Sequence, residues 1–183
     1  SGVTKNNVYR RQIVHMKSVQ GGDVVEQALK IRRLFNSFKA DYIVLDTRNA
    51  GISIYDLLAR ILYDPLFDTE YQPLSCMNDD NIANRVKVEG ANPCIFAINA
   101  SQKLNSDIAM DFRRVLSAGL VDLLVGFEKA SEEILPNIKE YVNSPDSETQ
   151  LFYEAPFLET QALISETSRL LYDKNPQTGT ITI

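Results

Sequence analysis

The spacing of apolar residues along the chain changes between the two periods that distinguish strands from helices. From Val8 to Val19, β-forming residues partly alternate with polar ones, which predicts a half-exposed strand that ends at Gly21-Gly22. Apolar residues then recur at helical spacing from Val24 to Phe38, after a capping-box pattern of Asp23 with Glu26. This pattern predicts an amphipathic helix. The charged residues expected outside its apolar stripe are Lys30, Arg32 and Arg33.

A second strand and helix follow directly. Residues Asp41 to Asp46 form a short, almost continuously apolar run, which is typical of a strand buried on both faces. Thr47 to Gly51 reads as a turn, and Ser53 with Asp56 forms a second capping-box pattern. Apolar residues at helical spacing then predict a helix that ends near Asp64-Pro65.

Weaker patterns continue the alternation of strands and helices to the end of the chain. Up to residue 98 they predict a loop-like stretch at 66–93, with short elements near 72–77 and 81–88, and a buried strand at 95–98. Beyond it they predict a helix closed by Gly119, an extended segment at 121–125, a helix at 131–142 that Pro136 kinks or splits, a helix from Pro156 to about Tyr172, and a strand from Thr180. The alternation indicates one α/β domain with a mostly buried central sheet.

Composition narrows the class of protein. Hydrophobic residues make up 44% and charged residues 23% of the chain, as in ordinary globular proteins. No apolar run approaches the roughly 20 residues that cross a bilayer, so no membrane segment is predicted. Cys76, Cys94 and the lone His15 are too few soft ligands for a structural zinc site. A net charge of −5 argues against indiscriminate nucleic-acid binding, although metal-binding carboxylates would also make the count negative.

The sharpest chemical candidate is Asp46, the carboxylate that ends the second predicted strand. Ligands of open α/β sheets collect beyond the carboxyl ends of the strands, and a strand buried in the core would hold this side chain in place. An equally compatible interpretation is that Asp46 accepts hydrogen bonds from the turn that follows. Asp56 could contribute to the same site, but its position three residues after Ser53 favours a capping role.

Other charged residues have ordinary structural interpretations. Asp79-Asp80 fits a polar loop before a helix near Ile82, and Asp122 is marked only by its charge. Adjacent arginines could contact phosphate, although such pairs are usually solvated surface. These pairs are Arg10-Arg11, Arg32-Arg33 and Arg113-Arg114.

Several segments resemble the nuclease domain of the large terminase subunits of tailed bacteriophages. Gln27 to Phe35 followed by Ala40 to Leu58 is similar to the segment in which a strand ends in that family's second active-site acid and leads through a Gly turn into a helix. Thr160 to Tyr172, leading to Gly179 to Ile183, resembles the helix and strand before the family's last acidic motif. The likeness covers most of the chain, but only Gln27 to Leu58 is specific enough to name the family.

The resemblance implies an RNase H-like three-layer fold, in which a central mixed sheet is flanked by helices. It implies a metal-dependent endonuclease that cuts double-stranded concatemeric DNA during viral packaging by two-metal phosphodiester hydrolysis. Matched position by position, Asp46 is the second acid and a ligand of Mg²⁺ or Mn²⁺. Asp56, in the helix after the turn, is the other catalytic candidate.

The resemblance also implies partners and a cellular location. The partners are double-stranded viral DNA, the portal and the small terminase subunit, in the cytoplasm of a bacterial host. The isolated domain is expected to be monomeric and to have no membrane partner.

Two departures from the family's pattern bear on activity. The sequence offers no candidate for the family's first acid, and the last acid normally follows the strand that begins at Thr180. We therefore predict one nuclease-like domain over residues 1–183, truncated at both ends and inactive as this fragment. No GxxxxGK[ST] phosphate loop occurs, so no ATPase domain is predicted.

Two alternative functions stay open. The absence of two acids is compatible with a non-catalytic RNase H-like module that binds DNA, a portal or another packaging protein. A nucleotide-binding or small-molecule-binding α/β domain could instead use the turn from Thr47 to Gly51. That turn has one glycine and lacks the GxGxxG pattern of phosphate-binding loops, which makes this the weaker alternative.

Overall fold

Short strands and helices alternate along the chain, which is of mixed α/β class as predicted. The computed structural model describes residues 2–5, 8–18, 21–169, 173–174 and 181–182. The strands are β1 (Gly2–Lys5), β2 (Val8–Gln12), β3 (Ile43–Asp46), β4 (Leu62–Asp64), β5 (Thr69–Tyr71), β6 (Leu74–Cys76), β7 (Asn92–Ile98), β8 (Val121–Asp122), β9 (Asp173–Lys174) and β10 (Ile181–Thr182). The helices are α1 (Val24–Ser37), α2 (Ala50–Leu58), α3 (Asp80–Ala83), α4 (Gln102–Ser117), α5 (Phe127–Glu133), a 3₁₀ helix (Leu135–Asn137), α6 (Lys139–Asn143) and α7 (Ser147–Arg169).

The chain divides into two compact units. The central unit is Val19–Ser101, and the terminal unit combines Ser1–Ser18 with Gln102–Ile183. The strands described form four separate sheets, two of them two-stranded hairpins. The one-domain organisation and the single central sheet of an RNase H-like fold therefore stay predictions.

A parallel three-stranded sheet in the order β3-β7-β6 is the framework of the central unit. Its register places Asp46 opposite Ile98 at the carboxyl ends of β3 and β7. The predicted burial of β3 on both faces is wrong, because Val44 is 66% exposed and its register partner Phe96 is 43% exposed. Alternate residues of a strand point to opposite faces, so only one face of this sheet packs into the core.

The core of the central unit joins that face to α1 and α2. Its largest fully buried side chains include Tyr55 and Leu58 of α2 and Ile95 of β7. The hydroxyl of Tyr55 also accepts a hydrogen bond of 3.3 Å from the backbone N–H of Cys76, so α2 is tied to β6 as well as packed on it. Burying one Leu or Ile side chain contributes roughly 1.5–3 kcal/mol, which makes this cluster the main source of stability in the unit.

Helix α1 begins where the sequence predicts, but its capping box is only half formed. The side chain of Asp23 accepts a hydrogen bond from the backbone N–H of Val25. The carboxylate of Glu26 lies instead 3.2 Å from Arg33 and 3.9 Å from Lys30. Lys30 lies one helical turn after Glu26 and Arg33 lies two turns after it, and both cations attract the carboxylate along the helix surface.

The predicted start and end of the second helix are wrong. Helix α2 begins at Ala50 and ends at Leu58, so Ser53 and Asp56 lie inside it and form no capping box. Leu62, predicted to continue the helix, belongs to β4 and pairs with Tyr71 of β5. The spacing of four residues between Leu58 and Leu62 fits a helix, but hairpin pairing across the Asp64–Thr69 turn determines the backbone conformation.

A buried carboxylate, Asp64, links α1 to this hairpin. Its side chain is fully buried and accepts hydrogen bonds of 2.7 Å from both Nε and Nη2 of Arg33. The backbone N–H of Leu66 and the hydroxyl of Tyr71 donate two more, at 3.0 and 3.1 Å. The bonds from Arg33 are the largest cause that lowers the pKa of Asp64 to about 2. The predicted role of Asp64 as a helix terminator is wrong.

Arg32 is also placed differently from the prediction. Its side chain is buried rather than outside the apolar stripe. The guanidinium donates a 3.0 Å hydrogen bond to the carbonyl of Gln72 and lies over the rings of Tyr71 and Phe35. Aromatic faces attract the planar cation and its carbon stem is apolar, so the core accommodates it. Burial lowers the pKa of Arg32.

In the terminal unit, β1 and β2 form an antiparallel hairpin, and β2 pairs in parallel with β8. The strand β2 ends at Gln12, well short of the predicted Val19. Helix α4 closes as predicted, because Gly119 has φ +65° and the N–H of Leu120 reaches the carbonyl of Val115 at 2.9 Å. The predicted break at Pro136 is confirmed, since it separates α5 from α6 within a 3₁₀ turn.

The long helix α7 begins at Ser147, nine residues before the predicted start at Pro156. The carboxylate of Asp146 accepts a 2.7 Å hydrogen bond from the N–H of Thr149, which starts the helix. Pro156 therefore lies inside the helix, and the hydroxyl of Thr160 donates a 2.7 Å bond to the carbonyl of Pro156. The predicted helix end at Tyr172 and strand start at Thr180 lie outside the described residues. None of the helices in the described part of the chain combines the length and hydropathy that a bilayer crossing requires.

Replacing Asp64 with Asn should destabilise the protein by about 2 kcal/mol, because Arg33 would exchange a charged hydrogen-bond partner for a neutral one in a partly buried pair. Urea unfolding of the variant measures the loss. The matched control is Asp111→Asn, since its ion pair with Arg114 is formed by side chains 74% and 66% exposed. That control should change stability by less than about 0.5 kcal/mol. Equal effects of the two substitutions would contradict the structural role of Asp64.

The same ion pair predicts a defined acid sensitivity. The folded-state pKa of Asp64 is about 2, below the unfolded value, so protonation favours the unfolded chain. The stabilisation should be complete above about pH 4 and should disappear as the pH falls towards 2. Urea midpoints measured across this range for the native chain and for Asp64→Asn should therefore converge at low pH. A constant difference between them would contradict the prediction.

Candidate functional site

The candidate site lies at the carboxyl ends of β3 and β7, where the chain leaves both parallel strands. Immediately after β3, Thr47 is bonded twice to the last residue of β7. Its backbone N–H and its hydroxyl both donate to the carbonyl of Ile98, at 2.9 and 3.1 Å. The first residue beyond Asp46 is thus attached to the neighbouring strand, and the side chain of Asp46 emerges from a fixed backbone.

The carboxylate of Asp46 is exposed and partly engaged. Its Oδ1 accepts a 3.1 Å hydrogen bond from the backbone N–H of Arg48 and a long contact of 3.5 Å from that of Ala100. The interpretation that Asp46 accepts a hydrogen bond from the following turn is therefore confirmed. Both of these contacts are made to Oδ1. The metal-binding role of Asp46 stays a prediction.

The turn from Thr47 to Gly51 is unusually tight. A β-carbon added at Gly51 would lie far inside van der Waals contact with the backbone carbonyl oxygen of Asp46, so glycine is required there. The N–H of Gly51 closes the turn on the carbonyl of Arg48 at 2.9 Å. Asn49 has φ +48°, a conformation that costs a non-glycine residue of order 1–3 kcal/mol. The start of α2 is therefore pressed against the backbone of Asp46.

Two residues that the sequence analysis did not single out belong to this edge. Arg48 follows Asp46 by two positions, and Asn99 follows Ile98, the register partner of Asp46. The Nε of Arg48 donates a short hydrogen bond to Oδ1 of Asn99. The signal that could have found them is their position, because each lies just beyond the end of a predicted strand.

Asn78 extends the same edge beside β6. Its side-chain Oδ1 accepts from the N–H of Ala97 at 2.8 Å, and its Nδ2 donates to the carbonyl of Ala97 at 3.0 Å. The amide thus takes the place of a backbone pair where β6 has ended. Asp79 caps α3 by accepting from the N–H groups of Asn81 and Ile82 at 2.9 and 3.2 Å, which confirms its structural interpretation.

Asp56 forms an ion pair with Arg85. Both of its oxygens accept from Arg85, at 3.0 Å from Nε and 2.8 Å from Nη2. The hydrogen bonds that Arg85 donates to Asp56 are the largest cause that raises the pKa of Arg85. The favoured capping role is wrong because the residue lies inside α2. Its catalytic role stays a prediction, and a ligand would have to compete with Arg85 for the carboxylate.

Asp122 in the terminal unit is likewise paired, by a short bond to Nη2 of Arg10. This contact shows that Arg10 is not simply a solvated surface residue. His15 is partly buried, and burial is the larger cause that lowers its pKa.

The donor chemistry at Asp46 fits a hard divalent cation, since Mg²⁺ and Mn²⁺ prefer oxygen ligands. In the parts of the chain that the structure describes, no three His, Cys, Asp or Glu side chains come together closely enough to hold a metal ion.

Comparison with known proteins adds no assignment. No family model, curated protein or solved structure matched this chain. Functional inference therefore depends on the residues and geometry described above.

Substituting Gly51 with Ala should displace the turn beneath Asp46 and destabilise the protein by at least about 2 kcal/mol, because the new β-carbon meets backbone rather than a movable side chain. Urea unfolding measures this effect. Gly126→Ala is the matched control, since its nearest neighbour is the flexible end of the exposed Gln161 side chain. If Gly51→Ala were as mild as the control, the turn would not be under the inferred steric constraint.

Proposed function

We propose that this chain is the nuclease domain of a tailed-bacteriophage large terminase, with an RNase H-like fold, and that Asp46 is one of its metal ligands. The observation that supports this best is the placement of Asp46. It is an exposed carboxylate at the carboxyl ends of two parallel strands, and its backbone is held by Thr47 and Gly51.

The order of elements in the central unit supports the same proposal. The family resemblance implies four successive elements, and they occur in the same order here: a helix, a strand that ends in an acid, a tight glycine turn and a second helix. These are α1, β3, the turn to Gly51, and α2. The long helix α7 and the short strand β10 overlap the segments whose sequence resembles the helix and strand before the family's last acidic motif.

The described side chains support a limited chemical role for Asp46. The N–H of Arg48 holds Oδ1 and so orients the carboxylate, whose oxygens are ligands that Mg²⁺ and Mn²⁺ prefer. Among the described residues, no three His, Cys, Asp or Glu side chains come together at one place. We therefore propose for Asp46 only that it helps to bind a metal ion. The remaining acids are proposed to come from flanking sequence. Double-stranded viral DNA, the portal and the small terminase subunit are the proposed partners, in the host cytoplasm.

A non-catalytic RNase H-like module is the second proposal, and the lack of a three-ligand group among the described residues favours it. Such a module would bind DNA or a packaging protein without cutting. Catalysis by the domain with its flanking residues restored distinguishes the two proposals.

The test is plasmid nicking in the presence of Mn²⁺ by the domain with its natural flanking sequence. Asp46→Ala should reduce the nicking rate by about 100-fold or more, because a lost metal ligand should cost at least as much as a lost second-shell partner. The matched control is Asp41→Ala, which removes an exposed aspartate near the opposite end of β3 and should leave the rate within about twofold.

Equal nicking by the native domain and Asp46→Ala would remove Asp46 from the mechanism. DNA binding by the native domain without any Mn²⁺-dependent nicking would overturn the nuclease proposal in favour of the non-catalytic module.

A further inference from the structure

We infer that Arg48, oriented by Asn99, binds a backbone phosphate of double-stranded DNA beside Asp46. This inference rests on the proposed function, since it names a residue that would hold the substrate at the same edge. Phosphate contacts of this kind position a duplex without reading its sequence, which suits an enzyme that acts on the backbone.

The guanidinium of Arg48 is not paired with a carboxylate of any residue that the structure describes. Other arginines of the chain form ion pairs with carboxylates within 4.0 Å, namely Arg10, Arg33, Arg85 and Arg114. Arg48 is exposed and has no ion pair to any residue that the structure describes. The guanidinium of Arg48 can therefore pair with an anion from solution without first leaving a carboxylate partner among the described residues.

The guanidinium of Arg48 is held in one orientation by Asn99. The contact of Arg48 Nε with Asn99 Oδ1 fixes one side of the planar group. The two terminal nitrogens, Nη1 and Nη2, keep their donors for another partner. Arginine presents such donors in a rigid fork that matches two oxygens of a phosphate. The neutral amide of Asn99 holds the guanidinium and leaves its charge in place. An aspartate at the same position would cancel that charge.

The backbone that carries both Arg48 and Asn99 is held rigidly. The turn of Arg48 is fixed by the two bonds of Thr47 to Ile98 and by the close approach of Gly51 to Asp46. Asn99 follows the same Ile98 directly. The same turn contains Asn49, whose positive φ is an unfavourable backbone conformation. A side chain that starts from fixed backbone loses less conformational entropy when it binds a ligand.

The test is binding of a fluorescent DNA duplex of about 20 base pairs to the 183-residue chain in EDTA, measured by anisotropy over a range of salt concentrations. Arg48→Gln should weaken binding by about 10-fold near 0.1 M salt. It should also reduce the slope of log affinity against log salt by about one, because one phosphate contact is lost. Arg48→Lys should keep the slope and lose part of the affinity, since it retains the charge without the fork.

The matched control is Arg60→Gln. Arg60 is an exposed arginine just beyond the other end of α2, roughly 14 Å away along a helix of nine residues. The Arg60→Gln substitution removes the same charge and should change the affinity for the duplex by less than about twofold. Asn99→Ala should weaken binding a few-fold with an unchanged salt slope, because the guanidinium remains but is no longer oriented.

Identical affinity and slope for Arg48→Gln and Arg60→Gln would overturn the inference, and so would the absence of DNA binding by the native chain. The assay contains no divalent metal, so its result does not depend on nuclease activity. The domain could bind DNA through Arg48 and yet never nick it. That result would support this inference and contradict the nuclease proposal.

Discussion

The parallel pairing of β3 with β7 is the constraint on which the rest of the candidate site depends. It sets Asp46 level with Ile98, so that Thr47 can bond to the last carbonyl of β7 and Asn99 can reach Arg48. A register shift of one residue would turn the side chain of Asp46 to the opposite face of the sheet. The position of the carboxylate is therefore a property of the sheet, not of the turn alone.

Two kinds of packing hold this sheet in place. On its buried face, Tyr55 and Leu58 of α2 pack with the strands, so the helix that leaves the site also stabilises it. At the hairpin of β4 and β5, the buried pair of Arg33 and Asp64 joins α1 to the same unit. The first contribution is nondirectional burial of apolar surface, and the second is directional hydrogen bonding that fixes where the hairpin lies.

Much of the secondary structure could be predicted because local patterns were strong. The helical spacing after Asp23 and the apolar run before Asp46 identified α1 and β3, and Gly119 and Pro136 marked boundaries that the structure confirms. The hairpin at Leu62 to Tyr71 could not be predicted, since its residues fit a helix or loop equally well locally. Its conformation depends on pairing between distant residues, which periodicity does not report.

By itself the sequence determined the mixed α/β class, the strand that ends in Asp46 and the glycine turn behind it. Only the tertiary structure decided which charges meet: Asp56 with Arg85, Asp64 with Arg33, and Arg48 with Asn99. The reason is physical. Local backbone preference is encoded within a few residues, whereas the partner of a charged side chain depends on which segments the fold brings together. Burial of Arg32 and exposure of Arg48 follow from that arrangement and not from their residue type.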